Sequence, residues 1–155
     1  MNKNILSIRL VLILLWLVSA LTVMNAQPYM HSAGIRAGLS SGISYKGFRL
    51  HRMSAVELDL LYNRHGFNLS ALYEYQMEPF KKSTRTFAYV GGGAFGGNWN
   101  DQFSLGVEVT AGVEYTLRDL PLNFSLDWKP MLNLYADFEP EWLDFGLSIR
   151  YRFSK

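Results

Sequence analysis

The sequence predicts an all-β protein, an antiparallel up-and-down barrel, and three observations predict it. After Tyr29 apolar and polar residues alternate with period two, the pattern of strands with one apolar and one polar face. Turn-forming residues separate the alternating stretches. Beyond the first 26 residues no apolar run reaches the roughly 20 residues that a membrane-spanning helix requires, which excludes a helical bundle. The 155 residues suffice for one domain.

Residues 1–26 read as an export signal, and 27–155 as the barrel domain. Lys3 and Arg9 form the positive end, Leu10 to Val18 the apolar stretch, and Asn25-Ala26 the small-residue exit before Gln27. A retained anchor is the alternative, but the apolar stretch is short for a span. Of 15 basic residues only Lys3 and Arg9 precede Gln27, leaving 13 against 13 acidic ones. A formally neutral domain offers no basic face for nucleic acid, so no nucleic-acid partner is expected. With no cysteine, disulfides, thiolate metal sites and a lipid-bearing cysteine are excluded.

The elements follow in order. Ser32 to Leu50 is too long for one strand; Ser40-Ser41-Gly42 divides it into strands near 32–39 and 42–50. Val56, Leu58, Leu60 and Tyr62 then alternate with Glu57, Asp59, Leu61 and Asn63. Phe67, Leu69, Ala71, Tyr73 and Tyr75 alternate with Asn68, Ser70, Leu72 and Glu74. Gly91 to Gly97 lacks the Lys-Ser or Lys-Thr of a phosphate cradle and reads as a bend where a strand runs into a loop. Phe103 to Leu117 is the clearest strand, long enough to cross a bilayer, where about 9–11 residues are needed. Leu122 to Lys129 and Phe145 to Phe153 complete the set. Dividing the first stretch makes eight strands, the even number expected of single-chain barrels. Undivided, it would require the eighth strand within Met131 to Phe138. With both ends in the periplasm, Arg118 to Pro121 is a short periplasmic turn, Asn63 to Gly66 a tight outer turn, and Gly96 to Gln102 and Phe138 to Glu141 outer loops.

Alternation alone does not say which face is inside, since a soluble barrel buries the apolar one. The polar face decides. It carries Gly34, Gly38, Gly42, Gly106, Gly112 and Gly146 among Ser and Thr, which serve a narrow lumen and weaken a soluble surface. Lysine falls in turns and ends, with Lys129 the main strand exception. Tyr62, Tyr75, Trp128, Trp142 and Tyr151 lie near strand ends, as interfacial girdles do. A transmembrane barrel is therefore expected, with membrane lipid as its surroundings; a soluble periplasmic binding barrel, its faces exchanged, is the alternative.

Over about Ala33 to Phe153 the chain resembles the small eight-stranded outer-membrane barrels of the OmpX and OmpA-domain kind. The resemblance rests on the pattern, the export signal and the closing strand Leu147-Ser148-Ile149-Arg150-Tyr151-Arg152-Phe153. It implies a bacterial outer-membrane location and a monomer. It also implies that the assembly machinery reads Phe153, although Ser154-Lys155 follow it here. Members of this architecture include pores, adhesins, structural proteins and lipid-modifying enzymes, so function must be argued from the site.

The polar faces would bring Arg36, Glu57, Asp59, Glu74, Glu108, Glu114, Asp127, Lys129, Arg150 and Arg152 into one lumen. At eight strands side chains just fill the interior, which makes this set a paired plug; a charged constriction in a narrow pore is the other reading. No catalytic residue, cofactor or metal is expected. His31, His51 and His65 lie near turns without a shared spacing, and no Gly-x-Ser-x-Gly elbow accompanies a serine. A lipid-modifying site would have to assemble His65 with Ser70 or a nearby carboxylate across strands. Trp99 and Phe138 are expected as exposed loop aromatics and first candidates for contact with an external partner of unspecified identity.

Overall fold

The computed structural model describes residues 30–48, 54–77, 85–135 and 140–153. The expected export signal, His51, Phe138 and the last two residues lie outside this set. Ten extended segments are formed: β1 (His31–Gly38), β2 (Ser41–Phe48), β3 (Ser54–Asn63), β4 (Gly66–Met77), β5 (Thr86–Trp99), β6 (Gln102–Thr116), β7 (Leu122–Trp128), β8 (Met131–Asn133), β9 (Pro140–Glu141) and β10 (Phe145–Phe153).

These segments make eight barrel strands. Each of β1 to β6 pairs antiparallel with the next, β6 with β7, β7 with β10, and β10 with β1 from His31↔Phe153 to Gly38↔Gly146, so the sheet closes without an edge. Closure satisfies every ladder between neighbours and removes the open edge that invites aggregation. β8 continues β7 along β6 in unbroken register, Ala111↔Trp128 and Glu108↔Met131, and Val109 N donates to Pro130 O at 3.1 Å. The interruption between them holds Pro130, which has no N–H to give to a ladder. Opposite it, Trp128↔Phe145 and Met131↔Glu141 enclose two residues on one side and three on the other, a bulge at Trp142 to Asp144. The extra residue leaves Trp142 and Leu143 both exposed and turns Asp144 into the barrel.

The division of the first stretch occurs at Leu39-Ser40, and the eighth strand does not depend on Met131 to Phe138. Three expectations need correction. Gly96 to Gln102 is not a loop: β5 runs through the glycines to Trp99 and meets β6 across a two-residue turn. Asn100 and Asp101 make that turn with φ of 51° and 64°, the left-handed values which Asn and Asp tolerate best among side-chain-bearing residues. Trp99 is accordingly not an exposed aromatic; it points inward and is 1% exposed. Pro140 and Glu141 belong to β9 rather than to a loop. The end away from the termini thus carries two-residue turns at Leu39-Ser40, Arg64-His65 and Asn100-Asp101. The turn near Ser40 and the tight turn from Asn63 to Gly66 are formed as expected, and the longer loop expected at Gly96 to Gln102 is replaced by the third short turn.

Burial is inverted relative to a soluble domain. Along β3 the buried positions are Ala55, Glu57, Asp59, Leu61 and Asn63, while Val56, Leu58, Leu60 and Tyr62 face out. The same holds on β4, β6 and β10, so polar side chains fill the lumen and apolar ones coat the wall. Tyr62, Tyr75, Trp128 and Trp142 are on the outer surface; Tyr151 is half-buried. Phe153 is on the outside at the seam between first and last strands, stacked on His31, whose Nδ1 lies 2.8 Å from the Tyr45 hydroxyl.

Candidate functional site

The lumen is the site, and it is built by parity: each strand sends alternate residues inward. All ten residues predicted for the charge network are buried there. Arg36 on β1 reaches across to Asp127 on β7, Nη2 to Oδ1 at 2.7 Å, and to Asp144 at 3.1 Å. The same guanidinium donates to the Ser40 carbonyl at 2.7 Å, which ties the network to the first turn. Gly146 makes this possible, since a Cβ there would lie 2.4 Å from the Arg36 guanidinium carbon.

Around the middle of the lumen Glu57 is the hub. It accepts from Arg150, from Lys129 Nζ at 3.2 Å and from the Ser44 hydroxyl at 2.7 Å. Lys129 also pairs with Asp59, and Arg150 donates to Ser44 and Ser125 at 3.0 and 2.7 Å. Glu108 accepts from the Ser70 hydroxyl at 2.6 Å. Nearer the termini, Lys46 on β2 bridges Glu74 and Glu114, with Asn123 donating to Glu114 at 3.2 Å. Arg152 donates to the Leu117 and Leu120 carbonyls, joining the closing strand to the β6–β7 connection.

Two members of this network were not in the predicted set. A reading that places lysines in turns and ends misses Lys46. Its signal was available, since it alternates in phase with Ser44, whose partner on β3 is Asp59. Asp144 sits at the bulge, where parity counted from β10 alone says nothing of its partners. Buried charges cost several kcal/mol each unless paired, and here each of Arg36, Lys46 and Lys129 serves two carboxylates.

The end away from the termini is filled differently. Phe95, Trp99 and Met131 form a buried apolar cluster, and His65 stacks on Trp99 with ring centroids 4.1 Å apart. Outside this layer His65 Nδ1 lies 3.1 Å from Asn100 Oδ1 and its Nε2 3.1 Å from Glu141, which also accepts from Arg64 at 2.7 Å. The β3–β4 turn, the β5–β6 turn and β9 are thereby tied across the mouth. These inward aromatics come from β5, where Tyr89, Phe95 and Trp99 are buried.

The lumen holds charge in fixed places, and among the described residues Ser70 and His65 have different partners. Ser70 is committed to Glu108, while the His65 ring is engaged by Trp99, Asn100 and Glu141. Among the described residues no three His, Asp or Glu side chains group as metal ligands would. Comparison with protein-family models, curated proteins and solved structures gave no match. By its structure the chain is a closed eight-stranded antiparallel barrel with a charged interior.

Proposed function

We propose that this chain is an outer-membrane β-barrel protein of structural or interaction type, anchored in lipid by its apolar wall and plugged by its lumenal ion pairs. One observation carries the reading: the inversion of polarity between wall and lumen. Ile35, Ile43, Leu58, Leu69, Leu105, Val109, Leu126 and Leu147 all face outward and are at least 44% exposed. Glu57, Asp59, Glu74, Lys46, Lys129 and Arg150 are inside at 0%. Contiguous apolar surface beyond a few hundred Å² marks contact with a membrane or partner, and an encircling band fits a bilayer. A closed barrel is one of the two backbone solutions that hydrocarbon permits. In this reading Phe153 is the end that the assembly machinery recognises.

The plug is favoured over a narrow pore by the bridged cations and by the Phe95–Trp99–Met131 layer under the turns. Heat-modifiable migration tests the membrane reading. The detergent-purified chain without its first 26 residues should run faster unboiled than boiled and give a strand-rich circular dichroism spectrum. Detergent-independent solubility would overturn it. In planar bilayers the same preparation should be silent; reproducible ion-sized steps would replace the plug by the pore.

A further inference from the structure

We propose that the lumen near the termini contains a built site for an aliphatic ammonium ion, which Lys46 fills from within the chain. The inference rests on the geometry of the lumen and is independent of the compartment in which the barrel resides. The Lys46 stem crosses from β2 so that Nζ meets four groups from other positions on the wall. Glu74 Oε2 on β4 is 2.5 Å away and Glu114 Oε2 on β6 is 3.3 Å away. The face of the Tyr89 ring on β5 lies 4.0 Å from Nζ to the centroid, and the Phe48 ring 5.9 Å. Carboxylates at hydrogen-bond distance with an aromatic face on another side make the surroundings that select ammonium groups from water.

Apart from Phe48, the cage is built from strands other than the one that carries Lys46: Glu74 on β4, Tyr89 on β5 and Glu114 on β6. Two carboxylates surround one positive charge at a buried position. Glu74 is fully buried, and its carboxyl group is also within hydrogen-bond reach of Glu57. The Tyr89 hydroxyl has no hydrogen-bond partner among the described residues, so what this residue offers the cage is its ring. That ring is held in place by Gly112 opposite it, where a Cβ would come within 2.6 Å of the Tyr89 Cζ and hydroxyl. β6 therefore gives up a side chain at Gly112 to seat the aromatic wall, and contributes Glu114 two residues further on.

The test is chemical rescue. Lys46→Ala removes three methylenes and the ammonium, which n-propylammonium replaces atom for atom. The variant should unfold in detergent at a lower temperature than the parent chain. n-Propylammonium chloride should recover most of that loss saturably, whereas sodium chloride and n-propanol at equal concentration should not, and the parent chain should not respond. Lys46→Met keeps the stem without the charge and should fold but ignore the amine. No rise in Lys46→Ala, a rise matched by sodium chloride, or an equal response in Lys46→Met would each overturn the proposal. If Lys46→Ala does not fold alone, it is refolded with and without the amine. Recovery of the compact band with the amine only supports the site; failure with the amine while Lys46→Met folds overturns it.

Discussion

β3 and β5 obey opposite rules in the same barrel. β3 sends Glu57 and Asp59 into the lumen and coats the wall with Val56, Leu58, Leu60 and Tyr62. β5 sends Tyr89, Phe95 and Trp99 inward, with Gly91, Gly93 and Gly97 at the inward positions between them. Its outward face is small, with Ala88, Val90, Gly92, Ala94 and Gly96. On β3 the two faces differ in polarity; on β5 they differ in size. The lumen of an eight-stranded barrel is narrow, so one strand's large rings are admitted only where its own neighbours and the facing strands are reduced to glycine. Gly106 shows the same trade, since a Cβ there would meet the Phe95 ring at 2.6 Å. What counts as an inward residue is set by the volume left by the other strands as well as by its own chemistry.

Breaking the polar side of this comparison should have the largest effect. Arg150→Ala leaves Glu57 buried with one of its two cations, and loss of one partner of a buried pair costs about 3–5 kcal/mol. Urea or thermal unfolding in detergent should show it. Replacing both residues together, as Arg150→Met with Glu57→Leu, should cost less than the single change; an unaltered melt for Arg150→Ala would remove the arginine from any paired role.

The size rule is tested next, on adjacent residues of β5. Gly93→Ala places a Cβ 1.9 Å from the Ala71 carbonyl oxygen, a backbone atom that cannot turn aside, and overpacking of this kind costs about 1–3 kcal/mol. At Gly92, on the outer face, the same methyl meets the Glu108 carbonyl at 3.5 Å and should be tolerated, with a gain of up to about 1 kcal/mol from restricting the unfolded chain. Equal melts for the two variants would break the distinction. The smallest effect is expected at the mouth: Arg64 is exposed, and Arg64→Ala should cost under about 1 kcal/mol, less still in high salt.

How much was legible depends on the strand. Where polarity alternates, as in β3, β4, β6 and β10, the residues alone gave strand, face and inward charges, because a one-residue slip would exchange every polar side chain for an apolar one. Where size alternates, as in β5, the same reading went astray. Gly91 to Gly97 looked like the end of a strand, because glycine has poor strand propensity and its packing use is visible only beside Ala71 and Asn68. Trp99 was misplaced for the same reason.

The sequence by itself determined the period, the all-β class, the division near Ser40 and the ten charged residues that share the polar face, since each follows from local alternation and turn chemistry. Tertiary structure alone decided who pairs with whom. Arg36 meets Asp127 ninety-one positions away, and Lys46 meets Glu114 sixty-eight away, through closure of the β1–β10 seam and the tilt of strands around a narrow lumen. It also decided that three large rings point inward from β5, because whether a ring fits is a property of the space between strands and no single strand contains it.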